Sequence, residues 1–133
     1  MNNISYVKMF NQVIDEFFQE LMEIFPEEKK IKVRYNLFQT ICKANSKKPC
    51  KDFMYGSVNY LEKIAMKDGT LFTGLNKPKF LEDINFEKLW VSGISDNTKN
   101  IIWTYIKTFF SIGIKIIEMP VETHALINYI IQN

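Results

Sequence analysis

The sequence predicts an all-α fold: a single domain, 1–133, built as a compact bundle of five or six helices around a central apolar late helix at about 96–118. Three observations predict it. Val7, Phe10, Ile14, Phe17, Leu21 and Ile24 recur at alternating three- and four-residue intervals, which lines them up on one helix face. From Ile101 to Ile117 nearly every residue is apolar apart from one narrow polar stripe, Asn100, Thr104, Lys107, Ser111, Lys115 and Glu118. A helix that is apolar over most of its circumference is buried on several sides. No strand-like alternation persists for more than a few residues.

The first helix should stop before Pro26, because proline disfavours the α conformation at Phe25. Its stripe is too short for a coiled coil. Pro26 is then expected at the first position of a second helix, with Glu27 and Glu28 near the positive end of its dipole. Ile31, Tyr35, Phe38 and Cys42 form its inner face, with Leu37 and Ile41 on the flank. Asn45-Ser46 ends it and offers a cap for a third helix, which Pro49 opens and whose inner face is Phe53, Ser57, Tyr60, Leu61 and Ile64.

Asp68-Gly69 is a turn signal. Residues 68–79, punctuated by Gly69, Gly74 and Pro78, form the least regular segment, with Leu71, Phe72 and Leu75 expected to tuck back onto the core. A short helix after Pro78 turns Phe80, Leu81 and Ile84 inward. Phe86, Leu89 and Trp90 lead on to a loop at Ser92-Gly93. Ser95 or Asp96 can cap the long late helix. Pro120 breaks it and opens a last short helix, Val121 to Ile131, carrying Leu126, Ile127, Ile130 and Ile131.

Composition excludes several function classes. The chain is 47% hydrophobic, enough to build a core rather than stay disordered. No stretch approaches the roughly 20 uninterrupted apolar residues of a membrane span, so no membrane association is expected. The N-terminal residues show no basic segment or cleavage site of a secretory signal. Cys42, Cys50 and His124 are the whole complement of cysteine and histidine, short of the four ligands a structural zinc site uses. The cysteines are read as free thiols, and no metal or cofactor is expected. The chain contains no phosphate-binding glycine loop and no nucleophile-elbow serine. His124 lacks an evident nucleophile or orienting partner. No enzyme is therefore expected.

Charge is unevenly spread. Residues 1–28 carry net −5, residues 29–67 net +8 and residues 68–133 net −1, in keeping with +2 for the whole. The basic block concentrates at Lys29, Lys30, Lys32 and Arg34 and again at Lys43, Lys47, Lys48 and Lys51. These eight are the candidate nucleic-acid contacts. If helices two and three pair antiparallel, the second cluster sits at the tip of their hairpin. Nearly all are lysines, which lack the planar fork that grips phosphate or guanine bidentately, so a solvated face is the competing reading.

Trp103, Tyr105, Phe110 and Ile114 are the candidate protein interface. The polar stripe of the late helix is only about one residue wide per turn. Apolar positions are therefore left over once neighbouring helices pack on it, and a second copy is the expected cover, giving a homodimer. The competing expectation is that segment 68–79 folds over the same face.

Isoleucine, asparagine and lysine make up about a third of the chain, and lysine outnumbers arginine 16 to 1, a bias of AT-rich coding sequences. Phe80 to Trp90, followed by Ile94-Ser95-Asp96-Asn97-Thr98-Lys99-Asn100-Ile101-Ile102-Trp103-Thr104-Tyr105-Ile106, resembles small helical proteins of unassigned function from large nucleocytoplasmic DNA viruses, the marseillevirus-like giant viruses. The shared pattern is a short helix ending in Trp, a loop with Ile-Ser and Thr-Lys, and Ile-Trp-x-Tyr on a long helix. The resemblance covers about 80–106 and implies no activity. It implies an intracellular life in the host cytoplasm, viral factory or virion. The function expected is a non-enzymatic, self-associating protein-interaction module. The alternative is an accessory nucleic-acid-binding protein using the lysine-rich helices at 29–67.

Overall fold

A computed structural model of the chain describes residues 2–73, 90 and 93–133. The helix expected after Pro78, together with Leu75, Phe80, Leu81, Ile84, Phe86, Leu89 and Ser92, lies outside the described residues. Helices account for the regular structure, and no strand occurs among the described residues. The fold is an all-α bundle.

Helix α1 (Asn3–Ile24) is capped by Asn2, whose side chain accepts from Ser5 N at 2.9 Å. It ends at Phe25, as Pro26 requires. Pro26 does not open the second helix. Glu28 N donates to Phe25 O at 3.1 Å, which makes residues 25–28 a turn with proline at its second position. Helix α2 (Lys29–Ala44) therefore starts later, with the Glu28 side chain accepting from Lys30 N at 3.4 Å. Helix α3 (Lys48–Gly56) carries Pro49 in its first turn. Ser46 does not cap it.

The expected third helix breaks in two. Buried Ser57 donates its hydroxyl back to Phe53 O at 2.6 Å, while its own N–H donates to the same carbonyl at 3.0 Å. Such back-bonding bends a helix, and the chain passes through one 3-10 turn at Val58–Tyr60 into α4 (Leu61–Ala65). Asp68 accepts from Thr70 N at 3.0 Å and opens the short α5 (Thr70–Thr73).

Helix α6 (Asp96–Gly113) is capped by Ser95, which accepts from Thr98 N at 3.1 Å. It ends before the expected 118. Past Gly113 the bonds tighten, with Lys115 N donating to Ile112 O and Ile116 N to Gly113 O, and the chain turns towards Pro120. A 3-10 turn at Val121–Thr123 leads into α7 (His124–Gln132).

The core is aromatic and centres on α6. Phe109 lies 5.6 Å from Phe10 and Phe17 of α1 and 5.3 Å from Phe53 of α3, and Phe53 lies 4.9 Å from Phe110. Tilted and edge-on ring pairs at these separations are favourable beyond their burial alone. Gly113 lets α3 approach closely, because a Cβ there would collide with Met54 Sδ. Leu71 and Phe72 return to the core as expected, both fully buried. Helix α7 closes the bundle against α4 and α6.

Candidate functional site

The residues expected to form a dimer face divide. Trp103 is only 8% exposed and Phe110 not at all. Phe72 lies 5.2 Å from the Trp103 ring and stacks on Trp90 at 4.3 Å, so segment 70–73 covers the face assigned to a second copy. The sequence reading undercounted the cover that α1, α3 and this segment give α6. Tyr105 is half-buried. Its hydroxyl donates to Glu20 Oε2 at 2.7 Å, and burial, helped by Glu20 and Glu16, pushes its pKa up to about 12. Ile114, one turn past buried Phe110, is exposed on the wall of a small cavity of about 220 Å³ shared with Met119 and Ile127. These four residues do not form one surface.

The eight cations also divide. Lys29, Lys30, Lys32 and Arg34 lie on the first turns of α2, close in sequence to Glu27 and Glu28. Lys43, Lys47, Lys48 and Lys51 surround the loop between α2 and α3. Arg34 and Lys43 stand nine residues apart on α2, which puts about 14 Å of helix axis between the nearest members of the two groups. Of the second group, Lys48 is engaged with Asp52 at 3.0 Å.

At this tip the structure adds partners that charge counting missed. The first turns of α1 run past the α2–α3 loop, and between them lies a cavity of about 420 Å³ lined by Asn3, Ile4, Val7, Lys8, Asn11, Ser46 and Lys47. Its lining is mostly apolar. Ile4 is 78% exposed beside it, Val7 is buried, and the ammonium groups come from Lys8 and Lys47. The N-terminal end of α1, with its positive dipole end, borders the same space.

Asn11 holds the tip together. Its Nδ2 donates to Ser46 O at 2.7 Å, which ties α1 to the loop and sets the orientation of the amide. Its Oδ1 is buried and has no hydrogen-bond partner among the described residues. An unsatisfied buried acceptor costs about 1–3 kcal/mol. The cavity thus has apolar walls with two lysine side chains among its lining, while Asn11 Oδ1 lies beneath the surface, out of reach from the cavity. A sequence signal for Asn11 exists: it stands one residue past Phe10 and four past Val7, a polar residue at the edge of the first helix's apolar stripe. Lys8 was concealed as the single lysine of an otherwise acidic segment.

Other polar side chains tie the helices together. The Tyr35 hydroxyl donates to Asp15 Oδ1 at 2.6 Å and accepts from Gln39 Nε2 at 3.0 Å, which clasps α1 to α2. The Asp15 hydrogen bond, burial and the Asp15 charge raise the Tyr35 pKa. His124 donates from Nε2 to Met119 O at 2.9 Å. Both cysteines are free. Burial pushes the Cys50 thiol up to about 12 and raises Cys42 as well, which disfavours the reactive thiolate in each. Among the described residues no three His, Cys, Asp or Glu side chains gather to hold a metal ion, and no helix is long and apolar enough to cross a membrane.

Comparison with protein-family models, curated proteins and solved structures finds no match. The site therefore stands on its own geometry.

Proposed function

We propose that the chain is a protein-interaction module that captures an acidic segment of a partner protein at the tip formed by α1 and the α2–α3 loop. A bulky apolar side chain of that segment enters the cavity against Ile4 and Val7. Its carboxylates face Lys8, Lys47 and the neighbouring Lys43 and Lys51. The juxtaposition of apolar walls with Lys8 and Lys47 in one cavity between α1 and the α2–α3 loop carries this reading, because an acidic segment with a bulky apolar side chain matches both features. A few desolvated anchors of this kind dominate the energetics of protein interfaces, while surrounding charges steer the encounter.

A nucleic acid fits the same cavity less well. Strands without sequence preference are held by aromatic platforms on which bases stack, and no aromatic side chain lines this cavity among the described residues. Lysine also supplies point charge without a bidentate fork. A second copy is the weaker candidate as occupant, since Trp103 and Phe110, expected to mediate self-association, are interior. If the chain is virus-encoded, as the resemblance at 80–106 implies, its partner is met inside the infected cell or the particle.

The test is fluorescence anisotropy with two labelled probes of equal net charge. One is a peptide alternating Asp and Glu with Leu and Phe; the other is a single-stranded oligonucleotide. Saturable peptide binding that weakens with salt and is lost in Ile4→Asp is expected. Ile4 is largely exposed, so this variant should fold normally. Binding of the oligonucleotide alone, or peptide binding that ignores Ile4→Asp, overturns the proposal.

A further inference from the structure

The polar stripe along otherwise apolar α6 faces outward, with Asn100, Thr104 and Lys115 exposed and Lys107 half-buried. Its first half lines a second cavity, of about 350 Å³, where α4, α6 and α7 meet. Asn100, Thr104 and Lys107 enter it from successive turns of α6, Ile64 and Trp103 supply apolar wall, and Lys67 reaches it from the turn after α4. No Asp or Glu side chain lines it among the described residues, and neither Lys67 nor Lys107 forms an ion pair there among them. Pockets of this size accommodate small ligands, which are oriented by a few polar groups converging on an apolar floor.

Lys67 stands in an unusual conformation. Lys67 N donates to Ile64 O at 3.1 Å and Asp68 N to Lys63 O at 2.9 Å, the paired bonds of a helix end whose closing residue is left-handed. Lys67 has φ 52°, where glycine is the ordinary occupant and a side chain carries a steric cost. A lysine is thus kept at a position whose backbone favours glycine, and it lines the same cavity as a second lysine.

We propose that this cavity is a binding site for a small phosphate monoester. The two ammonium groups match the phosphate dianion, Asn100 and Thr104 supply hydrogen bonds, and the apolar part of the ligand lies against Ile64 and Trp103. Lysine commonly binds phosphate in this point-charge manner. The site is separate from the α1–loop cavity and does not depend on the function assigned there.

Phenyl phosphate is the probe, with phenol as its uncharged counterpart, and binding is followed by heteronuclear NMR of the whole chain. Saturable shifts at the Asn100 side-chain amide, the Trp103 indole and the Lys107 amide are expected with phenyl phosphate and not with phenol. Lys67→Gly and Lys107→Ala should each weaken binding about tenfold, the scale of one lost charge-assisted contact. Lys67→Gly relaxes the left-handed residue, so loss of binding in that variant cannot be ascribed to unfolding. Lys115→Ala, on the same stripe beyond the cavity, should bind as the parent does. No saturable shift at millimolar probe, equal response to phenol, or unchanged affinity in Lys67→Gly overturns the proposal.

Discussion

Helix α6 and the α2–α3 tip invert the roles their sequences assign. Helix α6 carries Trp103, Phe109 and Phe110 and reads as the sticky surface of the molecule, yet all three are buried within the chain. The tip carries four lysines and reads as a solvated turn, yet with α1 it encloses a cavity with apolar walls. The difference teaches where a small bundle keeps exposed apolar surface. A helix that is apolar nearly all round goes to the centre, where neighbours cover all but its narrow polar stripe. Exposed apolar groups such as Ile4 on α1 and Val33 on α2 remain on the outer helices, among charged neighbours.

The largest effects should come from breaking the α6 side of this contrast. Phe110→Ala removes a fully buried ring that packs 4.9 Å from Phe53, and a cost of about 3–5 kcal/mol is expected. Trp103→Lys should unfold the chain rather than separate subunits, because it buries an unpaired charge. Thermal melts with light scattering check both. A folded Trp103→Lys protein with reduced mass would restore the dimer face the sequence first pointed to. Gly113→Val should cost about 1–3 kcal/mol through overpacking against Met54, measurable by denaturant titration.

These residues also show what the sequence made legible. Apolar periodicity located α1, α2 and α6 because burial imposes a three-four rhythm on any helix with one inner face. It missed the break after Gly56, since Ser57 sits at an inner position and its local back-bond to Phe53 bends the chain without disturbing the apolar spacing. It placed Pro26 one turn too early, because proline suits a turn as well as a helix start. The cluster at Lys43, Lys47, Lys48 and Lys51 was visible as charge. The cavity was not, because Lys8 and Asn11 join it across 35 or more residues of chain, from a helix whose other charges are acidic. Pairing of that kind depends on helix packing, not on spacing within one segment.

High pH should expose the interior with a defined sign. The folded pKa values of Tyr105 and Cys50 lie at about 12, above unfolded values of about 10 and about 8.5. The folded state therefore holds these protons more tightly, and their contribution to stability is complete below about pH 8.5. It is lost as pH rises towards 12, first through the Cys50 thiol and above about 10 through the Tyr105 hydroxyl. Urea midpoints from pH 7 to 11 should fall, and Cys50→Ala should flatten the decline between 8.5 and 10 even though it lowers the midpoint at pH 7. An undiminished slope in that variant would mean the buried thiol is not the group responsible.

The smallest change in stability should accompany the sharpest functional contrast. Lys8→Glu and Lys30→Glu reverse the same charge at exposed positions of the helices α1 and α2. Neither side chain makes a core contact, so each should alter stability by no more than about 0.5 kcal/mol. Of the two, only Lys8 borders the cavity between α1 and the α2–α3 loop. Lys8→Glu should therefore abolish binding of the acidic peptide by placing a carboxylate against its carboxylates. Lys30→Glu should slow association slightly through the altered overall field, with an effect that disappears in salt. Stopped-flow rates at low and physiological ionic strength separate the two. Equal losses of affinity would mean that the peptide follows the overall positive charge of residues 29–67 rather than the tip, and the eight cations would then act as one diffuse surface.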